Sequence, residues 1–274
     1  GVRSFVVSRL PEDMTSCPDA NFLQVVSPLK ALQRLAERHR EAFDIPVVGI
    51  TGSNGKTVVK EWLYQLLSPE KNVTRSPRSY NSQIGVPLSV WNLDERSEVG
   101  LFEAGISEPG EMEALQSVIQ PTIGVFTCLG DAHQENFTSY EQKCLEKLKL
   151  FKDAKVLVYD MDDARVVGCV NRSAFKGEYF AWSRQRRDVP LYIASVEKRE
   201  AETVVSYIYK GKEAACSIPF IDEASLANSV SCLAVCLHLG MSPETIAARM
   251  AVLEPVAMRL EVKEGRSGCT LIND

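Results

Sequence analysis

Val47-Val48-Gly49-Ile50-Thr51-Gly52-Ser53-Asn54-Gly55-Lys56-Thr57 joins a short apolar run to a turn bracketed by two glycines, and the turn closes on a Lys-Thr pair. Val59, Trp62, Leu63, Leu66 and Leu67 follow at helical spacing. A strand, a glycine-rich turn and a helix start, in that order, predict a phosphate cradle. Backbone N–H groups and the positive end of the helix dipole both face the turn. Gly52 and Gly55 let the backbone wrap closely, with Ser53 and Asn54 between them. Lys56 is placed to reach the β- and γ-phosphates of a nucleotide, and the Thr57 hydroxyl to bind Mg²⁺. The common phosphate-loop motif has glycine where Ile50 stands, so the strict pattern fails. The bland alternative is a glycine turn that happens to precede a helix.

Outward from this stretch, further apolar runs stand at 99–102, 123–127 and 156–159, each followed by a helix-like segment. They lack strict alternation, as strands covered on both faces do. The pattern predicts an α/β fold of phosphate-loop type, with a mostly parallel sheet flanked by helices. Beyond Asp160 the texture changes. Runs at 179–182, 191–196, 203–209 and 214–218 read as strands, with Lys210-Gly211-Lys212 as a hairpin turn. These predict a small antiparallel β patch appended to the parallel sheet. Two helices follow. One runs from about Ser225 to a stop at Gly240, and the next opens with Ser242 as N-cap and Pro243 in its first turn. Upstream, Leu29, Leu32, Leu35, Ala36 and Phe43 predict an amphipathic helix with Pro28 in its first turn. The division expected is 1–45 as the end of an N-terminal substrate-binding domain, 46–260 as the central unit, and 261–274 as the start of a C-terminal domain. Thr270-Leu271-Ile272 opens a strand just before the last residue, which predicts a piece cut at both ends and inactive alone.

The 274 residues are 45% hydrophobic and 24% charged, the profile of a soluble globular protein. A net charge of -5 does not suggest a nucleic-acid partner. No apolar run reaches the length of a membrane span, and no secretory leader is visible. The eight cysteines are scattered, without a C-x-x-C pair, and the three histidines lie far apart, which disfavours structural zinc. A reduced, cytoplasmic location is expected.

Thr51-Gly52-Ser53-Asn54-Gly55-Lys56-Thr57 resembles the shortened phosphate loop of the Mur ligases. Further landmarks come in that family's order. Asn81-Ser82-Gln83-Ile84-Gly85-Val86-Pro87 resembles its Asn-rich turn, and Glu103-Ala104-Gly105-Ile106-Ser107 with Pro109-Gly110-Glu111 its acidic strand end. Thr127-Cys128-Leu129-Gly130-Asp131-Ala132-His133 resembles its histidine loop. Ser82 and Cys128 replace residues that are often Asn in the family, and Ala224-Ser225 replaces a His-Asn pair ahead of Asn228. Pro109-Gly110-Glu111 and Ala132-His133 with Phe137 are most similar to the D-alanyl-D-alanine-adding branch. Pro255-Val256-Ala257-Met258-Arg259-Leu260-Glu261 resembles the form fused to an alanine racemase.

Some site residues follow from position and others only from the resemblance. Glu103 ends an apolar run, which in a parallel sheet puts it at the ligand-binding carboxyl edge. There it is expected to hold Mg²⁺ with Thr57, against the alternative of a solvated edge carboxylate. His133 lies in the loop after the next strand; a lone histidine is more often structural, and the resemblance implies a second Mg²⁺. Lys147 stands in Glu146-Lys147-Leu148-Lys149, which by itself reads as an exposed helix face. The resemblance implies a carbamylated lysine there, another ligand of that second ion. It also implies that Asn81, Asn228, Arg259 and Asp274 contact nucleotide. Asp160, Asp162 and Asp163 read as a turn with adjacent carboxylates rather than a metal cluster.

The function implied is ATP- and Mg²⁺-dependent amide formation through an acyl phosphate, adding D-alanyl-D-alanine to UDP-N-acetylmuramoyl-tripeptide in cell-wall precursor synthesis. Lys56, His133 and Lys147 would serve the transfer step. The alternatives are another ligase of the superfamily, such as a folylpolyglutamate synthase, a nucleotide-hydrolysing switch, or a nucleotide-binding module inactive as a fragment.

Overall fold

A computed structural model describes residues 2–13, 15, 18–131, 134–256, 261–264 and 269–273. Two short strands, β1 (Ser4–Val7) and β2 (Asn21–Gln24), pair parallel with one another and lead into helix α1 (Pro28–Arg40). Strands and helices then alternate: β3 (Val47–Thr51), α2 (Lys56–Leu67), β4 (Val73–Arg75), α3 (Gly85–Val90), β5 (Val99–Glu103), α4 (Glu111–Ile119), β6 (Ile123–Phe126), α5 (Tyr140–Leu148), β7 (Val156–Asp160) and α6 (Ala164–Val170). Next come β8 (Glu178–Ser183), β9 (Leu191–Lys198), β10 (Thr203–Tyr209) and β11 (Lys212–Ile218), and then α7 (Glu223–His238) and α8 (Pro243–Met250). The last pair, β12 (Glu261–Glu264) and β13 (Thr270–Asn273), forms an antiparallel sheet of its own.

Nine strands make one sheet in the order β11-β10-β9-β8-β7-β6-β3-β5-β4. Its neighbours run parallel from β4 through to β9, and only β10 and β11 are antiparallel. The mostly parallel α/β fold read from the sequence is therefore the observed one. The antiparallel patch is narrower than expected and continues the same sheet. β8 pairs parallel with β7 because α6 carries the chain back across the sheet between them, and the start of β9 pairs parallel with the end of β8.

Every residue of β3, β5 and β6 is buried, which explains their unbroken apolar texture. One face of the sheet is covered by α2 and α7, with Trp62, Leu63, Leu66, Cys232 and Cys236 in its core. The other is covered by α4 and α5, with Met112, Leu115, Leu148 and Phe151. Helix α7 stops as predicted: Gly240, at φ +82°, donates to Leu237 O, and Met241 N donates to Cys236 O at 3.0 Å. Ser242 caps α8 by accepting from Thr245 N.

Helix α1 begins as expected, with Ser27 as N-cap, but it buries a different face. Leu35 is 53% exposed, whereas Ala36 and Arg40 are buried. Arg40 explains the shift. Its guanidinium donates to Ile119 O at 2.9 Å, Gln120 O at 3.1 Å and Phe43 O at 2.6 Å, and so closes the carboxyl end of α4. A charged residue does what an apolar stripe was expected to do, through donors that match helix-end carbonyls.

Replacing Arg40 with Met strands those carbonyls. Leaving a buried acceptor unmatched costs about 1–3 kcal/mol, so Arg40→Met should lower the unfolding free energy by at least that much, seen as a lower denaturant midpoint. An unchanged midpoint would show that water replaces the clamp at no cost.

Candidate active site

The phosphate-loop stretch leaves β3 at its carboxyl end and enters α2 with Gly55 as the capping residue, at φ +83°. No side chain caps that helix start, so its first N–H groups remain available to an anion. Both loop glycines are sterically required. A Cβ on Gly52, at φ +146°, would stand 2.0 Å from Thr127 Oγ1, and one on Gly55 would stand 2.4 Å from Asn228 Oδ1. The loop is pinned from the end of β6. Thr127 Oγ1 donates to Asn54 O at 2.5 Å, Ser53 N to Cys128 O at 2.8 Å, and Ser53 Oγ to Gly130 O at 3.1 Å. Lys56 Nζ donates to Gly52 O and Ser53 O, each at 3.0 Å, so its ammonium lies over the loop.

On the side towards β5, Thr57 Oγ1 donates to Glu103 Oε2 at 3.0 Å and stands 3.2 Å from Ser79 Oγ. Glu103 is fully buried at the end of β5, not a solvated edge carboxylate. A hydroxyl and a carboxylate at this separation make an oxygen donor set suited to a hard divalent cation. Sequence reading passed over Lys60, which is also fully buried. Its ammonium lies 3.7 Å from Glu103 Oε1, 3.1 Å from Glu61 Oε1 and 2.8 Å from Ser76 O, and it also donates to Arg78 O. The signal was present: 60, 63 and 67 fall on one stripe of α2, so a lysine stands where the helix turns inward.

Across the loop, Asn81 packs on Gly105, whose N–H donates to Asn81 O at 2.8 Å. Helix α5 brings Lys147 to the same place. Ser53, Lys56, Asn81, Gly105, Glu111 and Lys147 line a cleft of about 350 Å³. The exposed-face reading of 146–149 fails here. Lys147 is only 3% exposed, and Glu146 is buried as well, its Oε1 accepting from Gly110 N at 2.8 Å and Met112 N at 3.3 Å. Glu146 thus caps α4 from α5, while Lys149 reaches solvent. Among the described residues the Lys147 ammonium has no hydrogen-bond acceptor. Burial first, and then the charges of Lys56 and Lys143, push its pKa down to about 7. Lys143 is buried one turn earlier and donates to Gly130 O at 2.5 Å.

Asn228 on α7 reaches the cradle from the other side of α2, with its amide against Gly55. Asp160, Asp162 and Asp163 do form turns and caps. Asp160 accepts from Asp162 N, Asp162 accepts from Ser183 Oγ and Arg184 N, and Asp163 caps α6. Burial raises the Asp160 pKa to about 6. Among the described residues no three His, Cys, Asp or Glu side chains converge on a metal site. His133, Arg259 and Asp274 lie outside the described residues. A larger cavity, about 700 Å³, lies against Arg187, Tyr192, Lys210 and His238, away from the loop. Chemistry, rather than volume, singles out the smaller cleft.

The Mur ligase middle domain family matches residues 50–236, a span that runs from the end of β3 into α7 and holds all of the cleft lining except Leu29. The chain belongs to the Mur ligase family. It is 29% identical, over 252 residues, to the UDP-N-acetylmuramoyl-tripeptide–D-alanyl-D-alanine ligase of Bacillus subtilis, covering 90% of this chain and 53% of that protein. With the ligase of the same name from Borreliella burgdorferi it shares 28% identity, covering 100% of this chain and 60% of that one. The chain thus spans a little over half the length of these relatives. MurF from Acinetobacter baumannii superposes with a TM-score of 0.86 at 21% identity, covering 98% of this chain and 58% of that one. The MurF ligase of Thermotoga maritima in complex with ADP gives 0.84 at 24%, covering 100% and 62%. These Mur ligase structures share the fold of this chain.

The displaced amine in this Mur ligase cleft predicts a pH signature. An unfolded lysine stays protonated up to about 10.4, whereas folded Lys147 loses its proton above about 7. Between those values the unfolded state binds more protons, so stability should rise with pH. In CO₂-free buffer, the melting temperature of the parent relative to Lys147→Met should climb from pH 7 to about pH 10. A flat difference would mean that Lys147 keeps its proton in the fold.

Proposed function

We propose that this chain supplies the nucleotide-binding and phosphoryl-transfer part of an ATP-dependent ligase that adds D-alanyl-D-alanine to UDP-N-acetylmuramoyl-tripeptide. The observation that carries the reading is the hydrogen-bonded Thr57–Glu103 pair beside Lys56, with Lys147 facing Lys56 in one cleft. Residues 1–45, 46–260 and 261–274 are proposed as the end of the first domain, the central domain and the start of the third. The likeness at 255–261 supports a racemase domain on the same chain. ATP supply places the reaction in the cytoplasm. Among the described residues no helix is long and apolar enough to cross a membrane.

A carboxylate is a poor electrophile, and transfer of a phosphoryl group to the acceptor carboxylate turns it into an acyl phosphate. The amine of D-alanyl-D-alanine then attacks the acyl carbon, and phosphate leaves as the amide forms. Two anions must meet for the first step, so the chain's task is chiefly to orient them and offset their charge. The N–H groups of Gly52, Asn54 and Gly55 would hold the phosphates, with Ser53, whose own N–H is held by Cys128 O, lining the cradle, and Lys56 would turn from the loop carbonyls to the β- and γ-oxygens. Asn81 and Asn228 would contact the nucleotide from either side; Arg259 and Asp274 join them on the resemblance alone.

Thr57 and Glu103 fit Mg²⁺ by their donor chemistry, and the ion would supply charge compensation for the phosphates. Lys147 as an ammonium has no lone pair to offer a second ion beside His133. The lowered pKa supports Lys147 as a neutral amine instead. A neutral amine adds to CO₂, forming an N–C bond and releasing a proton, and the resulting carbamate presents two anionic oxygens. Lys147 is the buried amine of the cleft that meets this requirement.

Two experiments on the whole protein test the reading. Lys56→Ala should abolish ATP turnover while leaving the melting temperature nearly unchanged, since Lys56 lies at the cleft and not in the core; turnover near the parent level would remove the loop from the reaction. Lys147→Ala should be nearly inactive and partly rescued by a short-chain carboxylic acid. Full activity without the acid would leave Lys147 no part in the chemistry.

A further inference from the structure

We propose that Lys60 is a positioning residue for the divalent cation assigned above to Thr57 and Glu103, an inference that rests on that assignment. The geometry behind it is a buried ammonium that touches both sides of the same oxygen cluster. On one side, Lys60 lies 3.7 Å from Glu103 Oε1, while the other oxygen of that carboxylate accepts from Thr57 Oγ1. On the other side, Lys60 donates to the carbonyls of Ser76 and Arg78. That segment continues to Ser79, whose Oγ is 3.2 Å from Thr57 Oγ1. Ser76 Oγ in turn accepts from Glu103 N at 3.4 Å.

Two physical effects follow. Lys60 and Glu103 are both fully buried, and a buried carboxylate is tolerated only with a compensating charge or donors. The Lys60 ammonium, 3.7 Å from Oε1, is the compensating charge beside that carboxylate. It also draws Oε1 to one side, which leaves Oε2 aimed at Thr57. The second effect is mechanical. An ammonium has three donor hydrogens. Here they face two loop carbonyls and Glu61, which itself pairs with Arg75 at 3.0 Å. The 76–79 segment, which passes through Arg78 at φ +48°, is thereby held against α2. Lys60 touches neither nucleotide nor acceptor in this arrangement. It acts through Glu103 and Ser79, as outer residues act on metal ligands.

A purely structural tie between α2 and the 76–78 segment would predict a loss of stability and nothing more. The discriminating readout is the Mg²⁺ dependence of ADP binding, measured by calorimetry on the whole protein at a series of Mg²⁺ concentrations. For Lys60→Met, the Mg²⁺ needed for half-maximal tightening of ADP should rise about 10- to 100-fold, with ADP affinity in chelator unchanged. Lys60→Arg, which keeps the charge, should recover part of the loss. The same Mg²⁺ dependence in Lys60→Met and parent overturns the inference and leaves the proposed function standing. ADP binding by the parent that ignores Mg²⁺ sinks the cation assignment itself, and this inference with it. If Lys60→Met does not fold, Lys60→Gln, which keeps donors for the Ser76 and Arg78 carbonyls without the charge, is titrated with Mg²⁺ in its place and judged by the same two outcomes.

Discussion

Thr127 stands where a side chain of residue 52 would have to go, and its hydroxyl donates to the carbonyl of Asn54. That contact joins the ends of β6 and β3, adjacent parallel strands whose carboxyl ends necessarily fall on one edge of the sheet. The loop between β3 and α2 is therefore held in this shape by contacts within the chain. The position of Lys56 over the loop, the free helix start at Gly55 and the reach of Thr57 to Glu103 all depend on it. A looser loop would have to be ordered by the ligand, and the ordering would be subtracted from binding.

Charge is the second organising constraint. Lys60, Lys143 and Lys147 are buried, and Lys56 is partly so. Each is handled differently: Lys60 by carboxylates and carbonyls, Lys143 by Gly130 O, Lys147 by a lowered pKa. The site concentrates positive potential in a protein of net charge -5, so an anion is drawn by local arrangement and not by the overall balance.

Much of this was legible because it rests on local rules. The strand, turn and helix at 47–57 and the helix boundary at Gly240 and Ser242 depend on glycine, proline and capping chemistry that neighbours cannot override. What stayed hidden depends on partners distant in sequence. Glu146 and Lys147 look like a solvated face until α4 and the 105–110 turn are packed beside α5. Arg40 looks exposed until Ile119 and Gln120 come within reach. The direction of β8 is set by where α6 returns the chain, not by the strand's own residues. Lys147 was named through family likeness, and its burial and lowered pKa were not visible in its local pattern.

Nine strands in an open sheet leave two edges, and both are poor templates. β4 is three residues long, and Arg75 at its end is drawn inward over the ring of Tyr64 and onto Glu61. β11 opens with the exposed pair Lys212 and Glu213 and has α8 packed beside it. Exposed strand edges recruit strands from other molecules unless they are short, charged or covered. These edges combine all three, so the sheet resists growing sideways into chains of copies.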